Sequence, residues 1–249
     1  MKNIKKFNEF LFESINDKGI FHCVILAGGP GSGKSFVSKK MFSGSPFKVV
    51  NSDIFFEFLL QKENLPFVMH PEIPEIYDKQ MSKRQKAKMM NNSKIHQYVN
   101  SLLPIVIDGT GAKLKKIEMI KNNLEKIGYD TYMVFVNTSL EVALERNSKR
   151  KRIVAPDIVK NLWYRVQQNI GQFQSMFQQN NFFLVDNTEI LEGKELKKFE
   201  LMLTRKMMKI LSNPLKNQNG RKIIDYLKET GGKYLVDYLG SDEIKKIEV

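Results

Sequence analysis

Gly28-Gly29-Pro30-Gly31-Ser32-Gly33-Lys34-Ser35, entered from the apolar run Cys23-Val24-Ile25-Leu26-Ala27, carries the spacing G-x-x-x-x-G-K-[ST]. Four glycines in eight positions let the backbone turn tightly enough for successive N–H groups, and the N-terminus of the helix that follows, to converge on an anion. In this pattern the lysine reaches the β- and γ-phosphates and the final hydroxyl ligates Mg²⁺. The segment therefore predicts a buried strand, a nucleoside triphosphate cradle over residues 28–35 and a helix over 33–42, with Lys34 on the phosphates and Ser35 on the metal. A glycine-rich turn without nucleotide would leave the apolar lead-in and the Lys-Ser pair unexplained.

Outward from that loop, short apolar runs alternate with segments of helical spacing, the signature of a parallel sheet covered by helices on both faces. Five strands are placed at residues 22–27, 47–51, 104–108, 131–137 and 182–186, with helices of crossover length between them. The connection 54–103 is too long for one crossover helix. It predicts two helices around Pro66, Pro71 and Pro74, covering an acceptor pocket. After the fifth strand, residues 193–211 read as an amphipathic helix with Leu196, Phe199, Leu203 and Ile210 near one face, ended by Asn213-Pro214. Residues 221–239, broken by Gly231-Gly232, read as a small helical hairpin. The expected organisation is a leader or helix over 1–19, an α/β nucleotide-binding domain over 20–190 and a helical extension over 191–249.

Three further stretches carry chemistry. Val49-Val50-Asn51-Ser52-Asp53 sets a carboxylate at the C-terminal end of the second strand, on the edge where open α/β sheets bind ligands. Asp53 there is the candidate base that positions a hydroxyl and accepts its proton; it also has the sequence position of a helix N-cap. Ile105-Val106-Ile107-Asp108-Gly109-Thr110 ends a buried strand in a second acid. Asp108 is a candidate for Mg²⁺ through water or for the acceptor, and Thr110 for the acceptor or a plain turn. The run Arg146-Asn147-Ser148-Lys149-Arg150, continued by Lys151-Arg152, reads as a helix that empties into an arginine-rich lid. Arg146 and Arg150, four residues apart on one expected helical face, are candidates to clamp the transferring phosphate.

The 249 residues, 42% hydrophobic, suffice for a full core. A formal charge of +13 favours phosphorylated or polyanionic partners. From Lys79 to Ile107 there is no Asp or Glu but six Lys or Arg, read first as a solvated helix face because no aromatic base-stacking pattern accompanies it. No apolar stretch is long enough to cross a bilayer and the basic start lacks a secretory signal, so no membrane partner and an intracellular, cytoplasmic location are expected. Cys23 reads as a small core residue, and His22, His70 and His96 lack metal-ligand spacing.

Taken together, the loop, Asn51-x-Asp53, Asp108-Gly109-Thr110 and Arg146-Asn147-Ser148-Lys149-Arg150 with Pro156 resemble the P-loop kinases that include zeta toxins and phage polynucleotide 5′-kinases, over roughly residues 20–188. The chain most resembles zeta-toxin-like kinases of T4-like phages. Ile107-Asp108-Gly109-Thr110-Gly111, Phe135-Val136-Asn137-Thr138-Ser139-Leu140 and Gln167-Gln168-Asn169-Ile170-Gly171 have close counterparts there. The resemblance implies a three-layer P-loop fold with strand order 2-3-1-4-5 and ATP–Mg²⁺ held by residues 28–35. It further implies Asp53 activating an acceptor hydroxyl, Asp108 and Thr110 lining the acceptor site, and Arg146 and Arg150 stabilising the phosphate. The acceptor would be a sugar nucleotide or a nucleic-acid 5′ end; a nucleotide-regulated virion protein without turnover is the reading of a different class. One departure stands out: those families place an arginine three residues after the strand-two aspartate to hold a substrate phosphate, and here that residue is Phe56, leaving Arg84 or Lys83 to substitute or an acceptor without that phosphate. Residues 1–13 resemble the leader of T4-like internal capsid proteins, with Leu11-Phe12-Glu13 like a prohead protease site. That likeness implies packaging in a capsid, against the simpler reading of an amphipathic first helix.

Overall fold

The computed structural model describes residues 19–69 and 71–230; the expected leader at 1–13, His70 and the second half of the expected C-terminal hairpin lie outside the described residues. In chain order the elements are β1 (His22–Ala27), α1 (Lys34–Phe42), β2 (Lys48–Val50), α2 (Ser52–Lys62), α3 (Pro74–Asn100), β3 (Ile105–Asp108) and α4 (Leu114–Lys126). They continue with β4 (Asp130–Asn137), α5 (Leu140–Ser148), α6 (Pro156–Gln168), α7 (Ile170–Asn181), β5 (Phe182–Asp186), α8 (Gly193–Ser212) and α9 (Gln218–Thr230). The strands form one sheet in the order β2-β3-β1-β4-β5, with every neighbouring pair parallel. This is the α/β/α architecture and strand order expected from the sequence.

All six residues of β1 are buried, and they divide by parity. Cys23, Ile25 and Ala27 join one apolar cluster, Val24 and Leu26 the other. A strand covered on both sides has no polar face, which is why it reads as an unbroken apolar run. Val37 and Met41 of α1 and Phe199, Leu203, Met207 and Ile210 of α8 cover one side. The other is covered by Ile95 and Val99 of α3, Ile117, Ile120 and Leu124 of α4, Phe173 and Phe177 of α7, and Ile223 and Leu227 of α9. Each fully buried side chain of this kind contributes roughly 1.5–3 kcal/mol relative to exposure.

The long connection between β2 and β3 holds two helices, as its length predicts. Phe56, Leu59 and Leu60 of α2 pack on Ala87 of α3 to form a small core of their own. The buried Gln80 side chain donates to the carbonyls of Pro66 (2.8 Å) and Val68 (2.7 Å), fastening the linking turn to α3. The C-terminal helix α9 is tied to the sheet through Asp130, whose carboxylate accepts from the N–H groups of Lys216 and Asn217. No helix among the described residues is long and apolar enough to cross a membrane. Because all five strands are parallel, the C-terminal ends of β1, β2 and β3 open on one edge, and the loops that leave them share that space.

Candidate active site

Between β1 and α1 the glycines are required by space as well as by conformation. Gly31 and Gly33 have φ of 77° and 83°, in the left-handed region. A Cβ at Gly31 would stand 2.2 Å from the carbonyl oxygen of Ala143 on α5. Gly33 caps α1 without a side-chain hydrogen bond, so the first-turn N–H groups have no side-chain acceptor. The hydroxyl of Ser32 is buried with no hydrogen-bond partner, while its carbonyl accepts from Asn187 Nδ2 at 2.8 Å. An uncapped helix end, a glycine cradle and an orphaned hydroxyl are what a phosphate chain satisfies, so these residues fit a nucleoside triphosphate. Lys34 Nζ lies over the same loop, donating to the carbonyls of Gly28 (2.7 Å) and Gly29 (3.1 Å).

Two carboxylates, Asp53 in the first turn of α2 and Asp108 at the end of β3, stand within electrostatic reach of Lys34. Asn51, the residue between β2 and α2, performs two tasks with one amide. Its Oδ1 accepts from the Asp53 N–H at 2.7 Å as the N-cap of α2, and its Nδ2 donates to Asp108 Oδ2 at 2.6 Å. Asn51, not Asp53, is therefore the cap, and the Asp53 carboxylate is left for other work. Asp108, at the end of β3, has its carboxyl pushed up to about 6 by burial. Lys34, the Asn51 hydrogen bond and Arg150 oppose that rise, and Asp53 adds to it. Burial likewise depresses the Lys34 ammonium, with Asp108 and Asp53 opposing and Arg150 reinforcing. Lys34 and Asp108 thus each feel the charge of the other, of Asp53 and of Arg150 at the sheet edge.

No cluster of three metal-ligating His, Cys, Asp or Glu side chains exists among the described residues. Mg²⁺ takes one or two protein ligands plus phosphate oxygens and water, and the exposed Ser35 and the half-buried Asp108 offer one hydroxyl and one carboxylate. Thr110 is exposed. Its backbone carbonyl accepts from Gly28 N–H at 3.2 Å, so the turn after β3 is fastened to the phosphate loop.

The arginine run is split by the fold. Helix α5 ends at Ser148, so the common helical face expected for Arg146 and Arg150 does not form. Arg146 lies between Gly33 of the phosphate loop and the exit of β5, where Nη1 donates to Asn187 O at 2.6 Å and Nη2 lies 3.5 Å from the carbonyls of Thr188 and Glu189. Arg150 lies past the helix, within electrostatic reach of Lys34 and Asp108. Arg152, at the end of the expected arginine-rich lid, pairs its Nη2 with Asp53 Oδ2 at 2.7 Å. The loop is strapped by the buried Asn147, whose Nδ2 donates to Val154 O (2.7 Å) and whose Oδ1 accepts from Val154 N–H (3.1 Å). Helix α6 closes the near side: Trp163 lies against Gly29 and donates from Nε1 to Thr138 O at 2.9 Å.

Asn51 and Asn147, which stand in the motifs without an assigned role, and Asn187, which stands in none, are the residues whose part in the site the sequence does not show. Only Asn51, two before a candidate base at a strand-to-helix junction, left a readable signal, that of an N-cap. Cys23 is buried with its thiol pushed well up by burial and belongs to the core as expected; His22 is buried beside it, with Nδ1 2.8 Å from Ile20 O and Nε2 without a hydrogen-bond partner.

Residues 23–188 match the family model described as AAA domain. Among solved structures, the chain is similar to a gluconokinase from Sinorhizobium meliloti 1021 at 12% identity, with 85% of this chain and 98% of that one covered and a TM-score of 0.46. It is also similar to a structure of the PezAT toxin–antitoxin system of Streptococcus pneumoniae (16% identity, 83% and 94% covered, TM-score 0.47). A third is the Pnkp1/Rnl/Hen1 RNA repair complex (16% identity, 64% of this chain, TM-score 0.49), of whose matched chain the alignment spans about half, 48%. No curated protein matches the sequence.

Proposed function

We propose, on the premise that the chain belongs to the AAA domain family, that it is an ATP-dependent phosphotransferase acting on a hydroxyl acceptor. The observation that carries this reading is a glycine cradle under Lys34 with two acids on the same sheet edge, Asp108 and Asp53, joined through the one Asn51 amide. Bound ATP–Mg²⁺ supplies the γ-phosphoryl group. Backbone N–H groups of the loop, among them those of Gly31, Gly33, Lys34 and Ser35, would hold the phosphates together with Lys34 Nζ, while Ser35 and Asp108 would hold the metal. Asp53 orients the acceptor hydroxyl and takes its proton, and Arg150 neutralises charge on the transferring group. Asn51 holds Asp108 and caps the helix that carries Asp53, so one amide sets the spacing of both acids.

Within this class we read the chain as a zeta-toxin-like kinase with a sugar-nucleotide acceptor, supported by the acid-Gly-Thr turn at 108–110. A polynucleotide 5′-hydroxyl acceptor is the second reading, favoured by the acid-free face of α3. Lys86 and Lys94 there line an open groove with Phe55, Met89 and Met90, bringing an aromatic ring from α2 to a basic surface that lacked one in sequence. Radiolabelled ATP offered with UDP-linked amino sugars and, in parallel, with RNA or DNA bearing 5′-hydroxyl ends separates the two. Asp53→Asn is expected to lower transfer to the active acceptor by about 10²–10⁴-fold. Full activity in that variant would remove Asp53 from the chemistry, and tight ATP binding without transfer to any acceptor would favour a nucleotide-regulated binding protein.

A further inference from the structure

The small core between α2 and α3 is left open on one side. Phe56, Leu59, Leu60 and Ala87 are buried in it, whereas Phe55 and Met90 pack against it only half-covered. These two line an open groove together with Met89, Lys86 and Lys94. On α3 the lining follows a single stripe. Lys86, Met90, Ser93, Lys94 and Gln97 stand at i, i+4, i+7, i+8 and i+11, beside the buried stripe Ala87, Asn91 and Ile95. Eleven steps of helix measure about 16 Å, so the stripe is about three turns long. Met89 is 70% exposed, and Ile54 and Phe58, which flank Phe55 on α2, are exposed as well. Apolar surface gathered in this way marks contact with another molecule.

The groove also carries charge of one sign. No Asp or Glu occurs between Lys79 and Ile107, and neither Lys86 nor Lys94 has a carboxylate partner among the described residues. Lys94 donates to Gln97 Oε1 at 3.0 Å and lies 5.0 Å from the Tyr98 ring, both neutral neighbours. We infer that the groove is a docking site for an acidic amphipathic helix of a partner protein, which completes the α2–α3 core as a third helix. Its apolar residues, at i, i+3 or i+4 and i+7, lie on Phe55, Met89 and Met90, and its carboxylates meet Lys86 and Lys94. Unbranched thioethers suit such a seat because they adjust to the shape of the guest. A nucleic-acid strand, the occupant under the polynucleotide reading, gains affinity by stacking successive bases on aromatic faces. The groove lining offers it one ring, Phe55, among thioethers. The docking does not depend on the phosphotransferase reading.

The test uses the full chain with ¹³C-labelled methionine methyl groups and a synthetic alanine-rich peptide of about eighteen residues, long enough to be helical in water. The peptide carries leucine at i, i+3, i+4, i+7 and i+11, with glutamate beside that stripe. Its addition is expected to move the Met89 and Met90 methyl signals and to leave those of the buried Met41 and Met133 in place. Lys86→Glu combined with Lys94→Glu is expected to weaken binding about 10–100-fold, as is salt at about 0.5 M to a smaller extent. A peptide of the same composition with its leucines scattered round the helix is expected not to bind. No movement at Met89 and Met90 up to about 1 mM peptide overturns the proposal, as does equal binding of the scattered peptide or equal affinity in the double variant. An oligonucleotide of about twelve nucleotides that moves the same two signals at lower concentration than the peptide also overturns it, assigning the groove to a nucleic-acid strand. The Met41 and Met133 signals report whether the variant is folded, and the scattered peptide decides the matter without any variant. Phosphoryl transfer is no part of the readout, so the outcome stands whether or not the chain proves to be a kinase.

Discussion

The phosphate loop and the arginine loop border the same pair of carboxylates but reach their geometry by opposite routes. In residues 28–35 the sequence dictates the backbone directly: left-handed φ at Gly31 and Gly33, and no room for a Cβ against Ala143. In residues 146–154 the backbone is fixed by one amide, Asn147 to Val154, and three arginines within seven residues go to three destinations. Arg146 braces the exit of β5, Arg150 adds charge beside Lys34 and Asp108, and Arg152 engages Asp53. A glycine motif carries its structure with it, whereas a basic run acquires its roles from whatever the fold brings within reach.

The sharpest way to break that comparison is to remove the arginines one at a time. Arg150→Ala is expected to reduce phosphoryl transfer by about 10³-fold or more with little change in melting temperature, the signature of a charge used in the transition state. Arg146→Ala should do the reverse. Its loss leaves the carbonyls of Asn187, Thr188 and Glu189 short of a charged donor and is expected to cost about 1–3 kcal/mol in urea denaturation. Equal rate losses from the two variants, with unchanged stability in both, would mean that the run acts as a single clamp.

This division also explains how much was legible beforehand. The five strands, their parallel direction and the helix after the phosphate loop follow from local patterns, unbroken apolar runs for strands covered on both faces and period-3.6 stripes such as Phe199, Leu203, Met207 and Ile210, while the strand order is what the kinase resemblance implies. Asp53 and Asp108 were readable because each stands at the C-terminal end of an apolar run. Arginine destinations were not, since helical spacing predicts a shared face only while the helix continues, and α5 ends at Ser148. Asn187, which holds Ser32 across 155 residues of chain, has no local signal at all. Phe56 reads as a missing cation, and only the packing of α2 on α3 and on the loop after α5 shows two cations over its ring.

A smaller effect sharpens the claim that the phosphate loop is set by space. Gly31→Ala places a Cβ against a backbone carbonyl at a left-handed φ, which is expected to cost about 3 kcal/mol, combining conformational strain with overpacking. Gly44 provides the control. Its φ is 75°, nearly the same, but a Cβ there meets nothing within 4 Å, so Gly44→Ala should cost only about 1 kcal/mol. Similar midpoints in urea for the two variants would show that conformation alone, and not the approach of α5, demands the glycine.

The smallest expected effect concerns Asp108, where the two loops meet electrostatically. Burial holds its carboxyl at about 6 against an ordinary 3.8, despite the opposing pull of Lys34, the Asn51 hydrogen bond and Arg150. Between those two values the unfolded chain has released the proton and the folded protein retains it. The folded state therefore loses stability as pH rises from about 4 to about 6, and the deficit then persists at neutral pH. For a shift of this size the deficit is about 1–3 kcal/mol. Asp108→Asn, which cannot ionise, is expected to be more stable than the parent by that amount at pH 7, to converge with it below pH 4, and to transfer phosphate poorly. Chemical denaturation of both proteins across pH 3.5–7.5 reads this directly. A variant less stable than the parent at pH 7 would mean that the ionised Asp108 is held by Lys34 and Asn51 more strongly than burial opposes it, making the carboxylate a structural tie between β3 and the phosphate loop as well as a ligand.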